Sequence, residues 1–308
     1  MGKATRAAYG ETLVELVDEG LDIVAIEADL SASTTTAKLG AAYPDRLFNA
    51  GIAEANMTGV AAGMAKEGKI AFTGSFAIFG TGRAWEQVRN TVCANNLNVK
   101  LAPTHAGVTV GPDGGSHQAL EDIALMRVLP RMSVVVPADY NSAKQAIRLA
   151  AKTAGPFYIR LGRMEAEDVY DEDHVMTYGA ATVLRKGSDV TIAACGVEVA
   201  LALQAADTLE AQGISAEVID VAFVKPLDVD TIVASVSKTG KLLTCEEHSV
   251  LGGMGSALSE VISEVHPVPT RRIGIADSFG QSGDPLELLA HYRLDAPSIV
   301  EAARELVK

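Results

Sequence analysis

A chain of 308 residues exceeds the commonest single core and is comfortable for two, and 48% hydrophobic against 21% charged residues excludes a disordered or low-complexity protein. Its formal charge of −13, with the 26 basic residues scattered, repels a phosphate backbone or an anionic membrane, so neither is an expected partner. A small anion remains admissible, because a few local arginines in a dehydrated pocket outweigh a diffuse surface charge.

Apolar residues recur at helical spacing over 5–19 and stop at Gly20; residues 21–26 then form a short apolar run flanked by acids. A helix is followed by a strand. The alternation continues with a helix over 54–66 stopped by Gly68, a strand at 70–73, a helix at 82–93 and a strand at 99–102. Next come a helix at 120–128, a strand at 133–136, a helix at 142–152 and a strand at 157–161. Strands without polar alternation, separated by helices, indicate a parallel sheet covered on both faces. Between 163 and 189 the periodicity fails and acids cluster, which predicts an exposed connection. Beyond it the expected strands are 190–194, 216–221, 241–245 and 272–276, with helices between them. The expected fold is α/β, two doubly wound domains at 1–165 and 189–308 joined by a linker at 166–188.

Cys93, Cys195 and Cys245 stand in apolar contexts without CxxC or Cys/His spacing, which predicts buried small hydrophobes and no metal site on this chain. The N-terminus shows no leader pattern and no apolar run nears the ~20 residues of a membrane span, so a cytoplasmic protein is expected.

In α/β sheets ligands bind beyond the carboxyl ends of strands, and four loops there are unusual. The first, 27–36, offers Asp29 and several hydroxyls where a helix begins; Ser33 is either a cap or a ligand. The second, 49–56, places Glu54 at the start of a helix among Ile52, Ala53 and Ala55, as a dipole partner or as a poorly solvated carboxylate inclined to share a proton with a ligand nitrogen. The third, 73–81, sets Phe76 and Phe79 in a glycine-rich turn, as core or as a grip on a flat heteroaromatic ring. The fourth, 104–118, gathers His105, Asp113, His117 and many glycines; this suits recognition of a hydroxylated substrate with His as proton carrier better than a metal.

In this order the loops resemble the C-terminal half of transketolases over essentially the whole chain, most specifically in GIAEAN at 51–56, SFAIFGTGRAWEQVR at 75–89 and THAGVTVGPDGGSHQALED at 104–122. The nearest likeness is to split transketolases. That resemblance implies a pyrimidine-binding domain followed by a transketolase C-terminal domain, and thiamine diphosphate as cofactor. Glu54 is then similar to the catalytic glutamate on the pyrimidine ring nitrogen, and Phe76 and Phe79 to its aromatic pocket. His105, Asp113 and His117 look like the residues that hold sugar hydroxyls and move protons. Arg6, Ser33 and Arg160 look like anchors for a substrate phosphate, with Arg163 a second arginine candidate, and Asp29 like a hydroxyl ligand. The sequence departs at Pro112-Asp113-Gly114, where transketolases have Glu-Asp-Gly, and at Gly82, where an aromatic is common. No Gly-Asp-Gly occurs, so Mg²⁺ and diphosphate are expected on an N-terminal partner subunit, in a heterotetramer. The implied reaction is transfer of a two-carbon ketol unit from a ketose phosphate to an aldose phosphate.

The alternatives are the β subunit of a 2-oxoacid or acetoin dehydrogenase, a deoxyxylulose phosphate synthase, and a non-catalytic partner. The run Glu246-Glu247-His248-Ser249 with Gly252-Gly253 is expected to pack subunits together, and His248, His266 and His291 to be structural.

Overall fold

The computed structural model describes residues 2–308. Short apolar runs form β1 (Ile23–Glu27), β2 (Leu47–Asn49), β3 (Ile70–Gly74), β4 (Val99–Leu101), β5 (Ser133–Val135) and β6 (Phe157–Ile159). The second half adds β7 (Thr182–Arg185), β8 (Val190–Ala194), β9 (Ala216–Asp220), β10 (Phe223–Lys225), β11 (Leu242–Ser249) and β12 (Thr270–Ile275). The first sheet runs β10-β5-β6-β4-β3-β1-β2 and the second β12-β11-β8-β9-β7. Two α/β domains follow, as the apolar strands predict.

All five residues of β1 are buried because helices cover both faces. Ile23 and Ala25 point to the side of Leu13, Leu16 and Ile147; Val24 and Ile26 point to the side of Met57, Ala61 and Val92. The second cluster does not stop at the domain edge. It runs on through Val134, Val221, Val224 and Leu258, so the two domains share apolar core.

The expected linker is more structured than its composition indicates. β7 lies inside it and pairs antiparallel with β9 as the edge of the second sheet. Upstream of β7, Asp139 Oδ2 accepts from the amides of Val169 and Tyr170, and Tyr170 donates its hydroxyl to Asp220 at 2.7 Å. An edge strand with exposed Thr182 and Val183 has no fully apolar run to betray it. β10 is a further difference: it follows β9 in sequence yet pairs antiparallel with β5 in the first sheet. The helix expected at 82–93 begins at Phe79 and carries wide i→i+5 turns at Phe79–Arg83 and Val88–Cys93, a winding often found at functional sites. Among the described residues no helix is long and apolar enough to cross a membrane.

Candidate active site

The order of the first sheet reverses between β1 and β3, which opens a crevice at their carboxyl ends. The four unusual loops meet there. The turn after β3 is bonded to the loop after β4, with the Ala77 amide on Thr104 O at 2.7 Å and the Thr104 amide on Ser75 O at 3.0 Å. The segment after β1 is tied to β3 by the Ala28 amide on Gly74 O.

Glu54 opens the Glu54–Lys66 helix and is 3% exposed. Its carboxylate makes only long contacts, 3.4 Å from Ser75 Oγ and 3.5 Å from Arg83 Nη1. Ile52, expected to shield it, is instead 77% exposed, and Ala55 is exposed too. The polar setting is set by Ser75 and Arg83, which belong to the third loop and the helix after it. Arg83 lies 4.2 Å over the Phe79 ring. The Phe76 and Phe79 rings are near parallel at 6.2 Å, and His117 meets both edge-on at 6.1 and 5.4 Å.

His105 stacks on Phe76 at 3.8 Å and is buried. Its backbone sits at φ +61°, a left-handed conformation uncommon outside glycine and typical of functional sites. Nε2 lies 3.5 Å from Arg6 Nη1 and Nδ1 lies 2.7 Å from Thr104 Oγ1. Because a guanidinium only donates, Nε2 is the acceptor and Nδ1 carries the proton to the threonine. Burial first, then the charges of Arg6, Arg163 and His117, pushes the imidazole pKa down to about 3. His105 is therefore a neutral imidazole whose unprotonated Nε2 accepts hydrogen bonds.

This neutrality has a sign in stability. Below pH 6.5 the unfolded chain binds a proton that the folded chain refuses, so folding free energy falls as pH drops towards 3, by about 1.4 kcal/mol per unit, and nothing is lost above pH 6.5. Urea titrations of wild type and His105→Gln at pH 7 and pH 5 should show the wild type losing about 2 kcal/mol more than the variant over that interval. Equal losses would mean that His105 protonates in place.

Arg6 donates to Ser33 O at 2.9 Å, so Ser33 is drawn to the arginine by its backbone. Burial, then Arg163, lowers the Arg6 pKa, while Asp113 opposes the shift. Arg6 and Arg163 line a cleft of about 500 Å³ with Thr109, Pro112, Gly283 and Asp284. Asp113 stands 3.9 Å from Arg163. Asp29 is exposed at φ +63° and accepts from Asn49 Nδ2 at 2.8 Å.

Arg160 is a correction. It is buried at the domain junction, donating through Nε and Nη2 to Asp122 at 2.7 and 3.2 Å and through Nη2 to Ala119 O and Glu247 O. A guanidinium committed to a buried carboxylate is not free for a substrate phosphate. Arg163, three residues on, occupies the cleft instead. Of the run expected to pack subunits, Glu247 and His248 turn inwards against this chain's own first domain and Glu246 accepts from the amides of Met254 and Gly255, all three being buried within the chain.

Sequence reasoning brought Glu54, Phe76, Phe79, His105, His117, Asp113, Arg6 and Ser33 to one end of the first sheet, and missed Ser75, Arg83 and Thr104. Arg83 was findable, since a charge four residues after Phe79 on a helix shares its face. Among the described residues no group of three or more His, Cys, Asp or Glu side chains could hold a metal ion.

Family models for the transketolase pyrimidine binding domain and the transketolase C-terminal domain match residues 1–168 and 179–299. A protein of Methanocaldococcus jannaschii named for a transketolase C-terminal section is 47% identical over 99% of this chain and 97% of its own length. The 6-deoxy-6-sulfo-D-fructose transketolase subunit SqwH of Clostridium sp. strain MSTE9 is 42% identical over 98% of this chain and 94% of its own. Among solved structures, one described as a split gene transketolase in an inactive beta4 tetramer superposes with a TM-score of 0.91 at 48% identity, covering 100% of this chain and 99% of that one. The crevice, aromatic pair and histidine loop all fall within the residues matched by the pyrimidine-binding model, and the chain belongs to the transketolase family, carrying the pyrimidine-binding and C-terminal domains.

Proposed function

We propose that this chain supplies the pyrimidine half of a thiamine diphosphate site and transfers a two-carbon ketol unit from an anionic ketose to an aldose. The observation that carries this reading is Glu54: a buried carboxylate with no short hydrogen bond, beside a parallel pair of phenylalanines and opening on the same crevice as a neutral histidine. A carboxylate so little satisfied fits a ligand nitrogen, and two flat rings fit a heteroaromatic one. The cofactor, when bound, supplies a nucleophilic carbon and an electron sink.

The chain's own side chains do the rest. Glu54 holds a proton against the pyrimidine nitrogen, while Phe76 and Phe79 grip the ring and keep water out. His105 Nε2 accepts a hydrogen bond from a donor hydroxyl, and His117, held at Nδ1 by Ser116 at 3.0 Å, faces the same space as the candidate proton carrier. Asp29 and Asp113 accept from sugar hydroxyls. Arg6, with Ser33, and Arg163 hold the terminal anion by fork geometry. A phosphate and a sulfonate both suit that arginine pair, so the sugar is assigned here only by class. A hydroxylated anionic substrate suits this arrangement better than a lipoyl arm, which disfavours the dehydrogenase alternative.

Diphosphate and Mg²⁺ are left to an N-terminal subunit bearing Gly-Asp-Gly, with two of each chain in the cytoplasmic assembly. The test is reconstitution with that subunit, thiamine diphosphate and Mg²⁺, assayed for ketol transfer from xylulose 5-phosphate to ribose 5-phosphate and from a sulfonated ketose. Transfer that requires both chains is expected; failure with every ketose tried removes the reading. Arg163→Ala should lower kcat/KM for a donor with a terminal phosphate on the order of 100-fold, the loss of one charge-assisted contact, and spare hydroxypyruvate, which has no terminal phosphate. An equal loss with both donors would show that Arg163 does not hold the anion.

A further inference from the structure

The loop carrying His105 and His117 is held from outside its own domain. Glu247, at the end of the buried part of β11, is 5% exposed and accepts from the Thr109 amide at 2.6 Å. Its carboxylate lies so close to Gly107, at φ +83°, that a Cβ there would come within 2.1 Å of the carboxyl carbon, so glycine is what admits it. The backbone oxygen of Glu247 accepts from Arg160 Nη2 at 2.9 Å, and the same guanidinium group bonds Ala119 O at 3.2 Å, beyond the far end of the loop. One acidic residue of the second domain is thereby linked to both roots of the catalytic loop. The loop's tip is touched by the same domain, with Ser282 Oγ on Pro112 O at 3.0 Å and Gln118 Nε2 on Gln281 O at 2.9 Å.

We propose that Glu247 is a positioning residue for ketol transfer: it fixes the 107–111 backbone, and through it the placing of His105 and Asp113, without touching substrate or cofactor. The transfer of strain is short. Thr109 is four residues from each of His105 and Asp113, Thr109 lines the arginine cleft, and Arg163 donates to Val110 O in the held segment. A carboxyl oxygen at this point accepts the Thr109 amide, and the glycine at 107 leaves no slack between them. The catalytic part rests on the function proposed above; the structural part does not.

Hydrogen–deuterium exchange on the full chain tests the structural part and kinetics of the reconstituted complex test the other. Glu247→Ala should speed exchange in peptides over 106–119 and leave those over 190–194 and 99–101 at the wild-type rate. In the complex it should lower kcat on the order of 100-fold, the cost of a misplaced catalytic group, while the thiamine diphosphate Kd changes less than about threefold. Glu247→Gln, which keeps the shape and an acceptor oxygen, should restore most of both. Unchanged exchange at 106–119, or faster exchange spread equally into 190–194, overturns the proposal. So does a loss that falls on cofactor affinity and not on kcat. If the wild-type complex transfers no ketol unit, the function proposed above fails, and the exchange result still decides whether Glu247 holds the loop.

Discussion

Glu54→Gln should reduce ketol transfer by the reconstituted complex on the order of 1,000-fold or more, with the fold intact. A glutamine fills the same space and can still hydrogen-bond a ring nitrogen, but it cannot hold the proton that general acid–base chemistry there requires, a contribution of about 100- to 10,000-fold. The fold has little to lose. The ion pair broken is a 3.5 Å contact to Arg83, whose side chain is 56% exposed, and such pairs contribute about 0–1 kcal/mol. Steady-state rates and thermal unfolding on the same preparation are the measurement. A variant keeping a tenth of the rate would remove Glu54 from the chemistry, and one that fails to fold would place its role in the core.

Arg160→Ala should behave in the opposite way, losing about 3–5 kcal/mol of stability, because it strands a buried carboxylate. Asp122 has no exposed side-chain surface and its remaining side-chain partner is the Tyr158 hydroxyl. Burial alone would raise the Asp122 pKa; the charge and hydrogen bonds of Arg160 outweigh it and hold the net value below the ordinary range. The pair therefore stabilises the fold above the unfolded carboxylate pKa, and that stability is lost as pH falls through the lower folded one. Chemical denaturation of Arg160→Ala at pH 7 reads the loss. If stability is unchanged and only the KM of an anionic donor rises, Arg160 is a substrate anchor after all and the junction pair is dispensable.

The fold was legible because strands buried on both faces declare themselves: β1 is apolar from Ile23 to Ile26 and β8 is apolar but for Thr191, and glycines 20 and 68 follow the ends of their helices where expected. The short edge strands were not. β2, β7 and β10 owe their conformation to a neighbouring strand and are too brief or too exposed to show a period. At the site, residue types in unusual loops were enough to collect Glu54, the two phenylalanines and the two histidines. Choosing between Arg160 and Arg163 was not possible from spacing, since both follow β6 and only the partner, Asp122 thirty-eight residues away, distinguishes them. The neutral state of His105 was hidden for the same reason: it comes from burial and from arginines distant in sequence.

The crossing of β10 bears on how such a protein can be recombined. The two family models meet between residues 168 and 179, yet the strand that closes the first sheet beyond β5 is drawn from 223–225, well inside the second. A crossover placed at that seam would pair one parent's β5 with another parent's edge strand, and a lone first half would present an unpaired ladder to its neighbours. The unit that can be exchanged between relatives as a self-sufficient block is thus larger than either domain, and sequence modules here do not coincide with sheets.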